Sequence, residues 1–168
     1  MAKAVKAPAK KAIPAKNVST AAASKKAGIS KSETGIKYAD KSGGQPHLVL
    51  IFNEIKKLLL PYEKGSIKLR GGTGGQILLV SDKPVTIHGK IRDELWFAAA
   101  LIQKGYVGFY FMPVYTGPEI KEVFKPELLK CLKGKSCFHI KKQDEEILKQ
   151  IKESLAIGYR KYKEKGWL

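Results

Sequence analysis

The sequence is short of cysteine, arginine and long apolar runs, and each shortage excludes a class of protein. Two cysteines, Cys131 and Cys137, are too few for the disulfide framework of a small secreted domain, which favours a reducing compartment. The longest apolar run, 95–102, has eight residues, against the roughly 20 that a membrane-spanning helix needs. Residues 1–30 lack a signal-peptide core, and no arginine precedes Arg70, which argues against a mitochondrial transit peptide. We therefore expect a cytoplasmic protein with no membrane partner.

Catalytic and metal-binding motifs are missing as well. The chain has neither a Gly-x-Ser-x-Gly elbow nor a His-Glu-x-x-His helix, and no carboxylate pair has a spacing that suggests acid and base roles. Cys137 and His139 point to one side of a predicted strand, and Cys131 lies six residues upstream, but no CxxC pair completes a zinc site. We therefore predict no enzyme, no cofactor and no metal site. An enzyme with scattered catalytic residues stays open as an alternative.

Positive charge, by contrast, is abundant. The formal net charge is +17, from 32 basic and 15 acidic residues, which indicates a polyanionic partner. Residues 1–44 hold ten lysines, two acidic residues and no aromatic residue before Tyr38, so we predict a disordered basic tail. We expect this tail to contact the phosphates of DNA or RNA without sequence preference, the alternative being a tail that only aids solubility. The expected nucleic-acid-binding residues are Lys3, Lys6, Lys10, Lys11, Lys16, Lys25 and Lys26.

The remaining residues, 45–168, carry the apolar patterns of one α+β domain. Leu48, Phe52, Ile55 and Leu59 recur at steps of three and four, which predicts an amphipathic helix that ends at Pro61. Short β-prone runs separated by glycine-containing turns follow, and we expect them to form an antiparallel β-meander of about five strands. The predicted strands are 66–70, 76–81, 84–91, 94–103 and 106–112.

Helical patterns return after Pro113. Two short helices are predicted at 118–124 and 126–132, because each begins with a proline that suits a first helical turn. A short strand follows at 136–140. A long C-terminal helix is predicted from about residue 143 to 165, since acidic residues lie at its positive N-terminal end and apolar residues form one stripe.

Two glycine-containing motifs invite a binding function. Arg70–Gly75 lacks the Lys-Ser/Thr ending of a phosphate-binding loop, and a strand follows it, so we predict a plain turn. Lys104–Phe111 agrees at its first three positions and its last with the aromatic octamer of an RNA-binding sheet. Gly108, however, stands where that octamer needs a second stacking aromatic ring. We therefore predict that Phe109 and Phe111 lie in the core and that Tyr110 is half exposed on the opposite face.

A basic cluster surrounds the predicted strand 136–140. Several ammonium groups there would converge on one anion, although lysine-rich loops are more often simply solvated. The possible anion site consists of Lys130, Lys133, Lys135, Lys141 and Lys142.

Segments 105–115 and 132–142, together with the long terminal helix, resemble the YdhG-like family of bacterial domains of unknown function. The resemblance covers about residues 45–168 and omits the basic tail. It implies a helix before an antiparallel sheet and C-terminal helices. Some members of that family are described as frataxin-like iron chaperones, so the resemblance implies intracellular iron binding as an alternative function.

The sequence therefore favours a non-catalytic binding domain. Its folded part, 45–168, is expected to bind a small ligand or a protein partner. Its tail, 1–44, is expected to bind nucleic acid.

Overall fold

The computed structural model describes residues 38–115 and 117–168. Within this part, the α-helices are α1 (Pro46–Leu59), α2 (Pro126–Cys131) and α3 (Glu145–Glu164). Short 3₁₀ helices lie at Leu60–Tyr62, Met112–Tyr115 and Pro118–Val123. The strands are β1 (Ile67–Gly71), β2 (Gln76–Ser81), β3 (Val85–Ile87), β4 (Lys90–Arg92), β5 (Leu95–Gln103), β6 (Tyr106–Phe111), β7 (Leu132–Lys133) and β8 (Cys137–Ile140). The mixed α+β composition, the antiparallel sheet and the C-terminal helix are confirmed.

Six of these strands form the main sheet, in the order β1-β2-β5-β6-β8-β7, and every neighbouring pair is antiparallel. The prediction of a five-strand meander is wrong on two counts. The predicted strand 84–91 is broken, and β3 and β4 form a separate two-stranded sheet. The cause is a tight turn at His88 and Gly89, whose φ angles of 51° and 72° reverse the chain between Ile87 and Lys90. The two-residue strand β7 was not predicted either.

The helices cover one face of the main sheet, which we call the inner face. The apolar stripe of α1 is buried against β5 and β6, and Pro46 occupies its first turn, as a proline at that position can. Phe109 and Phe111 are fully buried on the inner face, whereas Tyr110 is partly exposed. The predicted alternation along β6 is therefore confirmed.

The opposite, outer face also carries apolar side chains. Leu78, Val80, Ala99 and Leu101 form a second buried cluster there. Tyr38, Trp96 and Tyr110 pack against that cluster. Because β2 is buried on both faces, its sequence is a continuous apolar run rather than an alternating one.

The helix α3 closes the inner face. Asp144 precedes it, and one carboxylate oxygen of Asp144 accepts a hydrogen bond from the Ile147 amide at 3.1 Å. This contact satisfies one of the free N–H groups of the first turn. The helix ends before Gly166, whose φ of 70° suits a glycine at a helix C-terminus.

Residues 38–44, which the sequence assigns to the tail, contact the main sheet in the structure. The Tyr38 hydroxyl donates to the Ile102 carbonyl oxygen at 2.6 Å, and Lys41 Nζ donates to Gln103 Oε1 at 2.6 Å. The seven lysines of the predicted nucleic-acid site lie in 1–37, outside the described residues. In the described ranges, no helix combines the length and the apolar character that crossing a membrane requires.

Candidate functional site

A cleft of about 840 Å³ lies where the β3–β4 hairpin, the start of β5, the 3₁₀ helix Met112–Tyr115 and the end of α3 meet. Its walls come from four separate parts of the chain, so the fold rather than any local motif creates it. The residues that line the cleft are Thr86, Ile87, His88, Arg92, Glu94, Leu95, Trp96, Met112, Tyr115, Tyr162, Lys165 and Trp167.

Aromatic side chains form the floor and one wall of this cleft. Tyr162 is fully buried, and its hydroxyl donates a 2.8 Å hydrogen bond to the Trp96 carbonyl oxygen. That bond ties the end of α3 to the start of β5. The Trp167 ring meets the Tyr162 ring edge to face, with centroids 5.3 Å apart. The flat apolar surface is therefore fixed by contacts within the core.

The segment after α3 is held against the sheet by further hydrogen bonds. The Ser81 hydroxyl donates to the Trp167 carbonyl oxygen at 2.8 Å, and Trp167 donates its amide to the Tyr162 carbonyl oxygen at 2.9 Å. Ser81 itself is fully buried at the end of β2. Trp167 thus has a defined position, although it lies beyond the last helical turn.

Two cations lie at the mouth of the cleft. Arg92 is exposed on β4, and Lys165 Nζ lies 5.3 Å from the centre of the Trp167 ring. Among the described residues, neither side chain has a carboxylate within 4.0 Å. Among the described residues of the lining, Glu94 is the one carboxylate, and it forms an ion pair of 2.9 Å with Arg70, which lies outside the lining. The mouth therefore has an excess of positive charge.

This arrangement suits a flat, apolar molecule that carries an anionic group. The rings supply apolar contact area, and the guanidinium of Arg92 presents donors that match a carboxylate or phosphate. The ammonium of Lys165 adds a second positive charge.

No family model matches this chain, and no curated protein or solved structure is significantly similar to it.

The predicted anion site is spread over an exposed surface. Lys130 lies in α2, Lys133 in β7, Lys135 in the turn before β8, and Lys141 and Lys142 directly after β8; all five side chains are exposed. The structure brings two of them, Lys133 and Lys141, close enough to His139 to affect its titration. Burial first, and then these two positive charges, lower the pKa of His139. A convergent site of all five lysines stays a prediction.

The predicted arrangement of cysteine and histidine is also present. Cys137 and His139 lie on the outer face of β8, while Cys131 ends α2. The Cys137 thiol lies next to the Tyr110 hydroxyl, and burial raises the pKa of both groups, that of Tyr110 to about 12. Among the residues that the structure describes, no group of three or more His, Cys, Asp or Glu side chains has a metal-binding arrangement.

The glycine-rich segment forms a turn between β1 and β2. Gly71, Gly72, Gly74 and Gly75 all have positive φ angles, between 62° and 99°. Such angles explain the run of glycines without an anion, because other residues rarely adopt them.

The cleft was not predicted from the sequence. Trp96 and Trp167 are far apart in the chain, and neither belongs to a recognisable motif. Local patterns give no signal for the cleft, because its lining residues come from distant segments of the chain.

Proposed function

We propose that the folded part of this chain is a non-catalytic binding domain and that its cleft binds a small anionic molecule with a flat apolar part. The observation that carries this proposal is the pairing of a preformed aromatic wall with two cations that lack a carboxylate partner in the described part of the chain. A volume of about 840 Å³ is within the usual range for small-ligand sites.

The charge of the cleft supports an anionic ligand rather than a cationic one. Glu94 is occupied by Arg70, so a positively charged ligand would meet Arg92 and Lys165 without a compensating carboxylate. An anion would gain charge-assisted hydrogen bonds from the same two side chains. The rings then favour a planar ligand, because a flat molecule makes the largest contact with Trp167.

The experiment uses the two tryptophans as internal reporters. Both tryptophans of the chain, Trp96 and Trp167, are lining residues of the cleft, so a probe bound there lies close to both. Anilinonaphthalene sulfonate, which is flat, apolar and anionic, serves as the probe. We expect saturable energy transfer from tryptophan to the probe and competition by flat carboxylates and phosphates.

Charge-removing variants separate this site from general dye binding. Arg92→Ala and Lys165→Ala should each weaken probe binding about tenfold, the size of one lost charge-assisted hydrogen bond. The matched control is Arg160→Ala, which removes an exposed arginine of α3 outside the cleft. Equal affinity in all three variants would show that the cleft does not hold the probe.

We propose a second activity for the basic tail, residues 1–44. Its lysines would hold nucleic acid through phosphate contacts while the folded part binds its ligand. Membership of the YdhG-like family and iron binding both stay predictions.

A further inference from the structure

The outer face of β6 and β8 carries an aromatic pair that the cleft does not use. The rings of Tyr106 and His139 are stacked, with centroids 3.8 Å apart and planes 13° from parallel. Both side chains are partly exposed. Within the described residues, neither ring has another aromatic ring stacked on it.

The aromatic octamer at Lys104–Phe111 lacks its second stacking ring, and this pair contains a ring from the neighbouring strand. Tyr106 occupies the third position of that octamer, and Gly108 occupies the fifth, where the second stacking ring is required. In the sheet, Gly108 lies directly opposite His139 of the neighbouring strand. The imidazole of His139 therefore supplies a ring beside the position where the octamer lacks one.

A side chain at position 108 would meet the Tyr110 ring. A Cβ atom built on Gly108 would lie 2.9 Å from the Tyr110 ring, which folds over the glycine. With the Tyr110 ring in this space, the second ring of the pair comes from β8.

The charge of this surface is positive. Lys133 faces outward next to Cys137, and the charges of Lys133 and Lys141 act on His139. The outward residues of the strands β6, β7 and β8 include no carboxylate. Burial and these lysines lower the pKa of His139, which favours the neutral form of its ring.

Two residues that precede α1 contact the sheet near this pair. Tyr38 packs on the outer apolar cluster, and Lys41 contacts Gln103 at the end of β5, directly opposite Tyr106.

We propose that the outer face of β6 and β8 binds a single-stranded nucleic acid, whose unpaired bases stack on Tyr106 and His139 while its phosphates contact Lys133 and Lys141. Stacking on aromatic side chains tolerates any base, and flanking lysines follow the backbone. A duplex does not fit this description, because its bases are already stacked on one another.

The experiment compares single-stranded with double-stranded probes on the full chain. Fluorescence anisotropy is measured with oligo-dT, oligo-U and a DNA duplex of equal length. Tyr106→Leu should weaken binding to single strands by about 5- to 150-fold, the range for loss of a stacking ring, and leave duplex binding unchanged. Tyr106→Phe, which keeps the ring, should bind single strands as the parent does. A loss on oligo-U alone assigns RNA, and a loss on oligo-dT alone assigns DNA.

Surface lysines give a test that does not depend on the packing of Tyr106. Replacing Lys133 and Lys141 together by Gln should lower the salt slope on single strands by about 1.4, at about 0.7 per phosphate contact. Lys152→Gln, on the exposed side of α3, is the matched control and should leave the slope unchanged.

Two results would overturn the proposal. One is an equal loss of affinity for single strands and for duplex in Tyr106→Leu. That result would show that this face binds phosphates in general and not unpaired bases. The other is unchanged single-strand affinity in Tyr106→Leu, which would show that no base stacks on Tyr106.

Discussion

A single glycine sets the distance between α3 and the sheet. Gly158 is buried in the middle of α3, where a glycine normally destabilises a helix by about 1 kcal/mol relative to alanine. A Cβ atom there would lie 2.8 Å from Pro113 Cγ and would also clash with the Phe111 ring. Close packing of the helix on Phe111 therefore outweighs helix propensity at this position.

The variant Gly158→Ala should destabilise the protein, against the expectation from helix propensity. The added methyl group overpacks the core, and we expect a net loss of roughly 2 kcal/mol in the free energy of unfolding. Urea denaturation followed by circular dichroism measures it. Phe111→Leu with Gly158→Ala should lose less than the sum of the two single changes, because the smaller side chain makes room. Strict additivity would show that the two residues do not meet.

At the scale of elements, a buried glutamine joins α2 to α3. Gln150 Oε1 accepts a 3.0 Å hydrogen bond from the Leu128 amide. Its side-chain amide donates to Glu127 at 2.9 Å and to Glu146 at 3.1 Å. The hydrogen bond from Gln150 lowers the pKa of Glu127 below its ordinary value. The stabilising effect of Glu127 is therefore complete above its ordinary pKa and is lost as the pH falls through the lowered one.

Two substitutions at Gln150 should differ in their pH dependence. Gln150→Leu leaves the Leu128 amide without its partner, and we expect this to cost about 1 to 3 kcal/mol in the free energy of unfolding at all pH values. It also removes the donor to Glu127, so a further loss should appear above the pKa of that carboxyl group. Gln150→Glu brings a third carboxylate beside Glu127 and Glu146, so it should cost more at pH 7 than at pH 4, where protonation relieves the repulsion. Thermal denaturation at both pH values checks this. A Gln150→Glu variant with no pH dependence beyond that of the parent would contradict the contact.

The elements differ in how far the sequence predicts them. The helices α1 and α3 and the strand β2 follow from local apolar patterns, and their observed bounds lie close to the predicted ones. The break between β3 and β4 depends on a positive φ at His88, which is uncommon for a non-glycine residue and leaves no pattern in the sequence. The cleft and the Tyr106–His139 pair depend on contacts between distant segments, which local patterns do not contain.

At the scale of the whole molecule, charge is unevenly distributed. Residues 1–44 hold ten lysines and two acidic residues, whereas the other 124 residues hold 22 basic and 13 acidic residues. The N-terminal segment therefore has the higher charge density.

Non-specific binding of duplex DNA should therefore depend steeply on salt. If about five to seven of the lysines in 1–37 contact phosphates, a plot of log affinity against log salt should have a slope of roughly −4.5 to −6. Replacing Lys3, Lys6, Lys10, Lys11, Lys16, Lys25 and Lys26 by Gln should remove most of that slope. Filter binding across a salt series measures both forms. An unchanged slope would place the duplex contacts in the folded part instead.

The strand order of the main sheet also affects how readily the protein aggregates. Its two edges are β1 and the two-residue strand β7, and short or charged edges hinder the joining of sheets from different molecules. On β1 this protection comes from Lys68, which is exposed, so that a strand approaching the edge would have to bury an ammonium group. Lys68→Val should therefore leave the monomer folded but make it self-associate at high concentration, detectable as a rise in light scattering. If both predictions hold, the lysines of this chain have two distinct roles: those of residues 1–37 attract a polyanion, and Lys68 keeps copies of the domain apart.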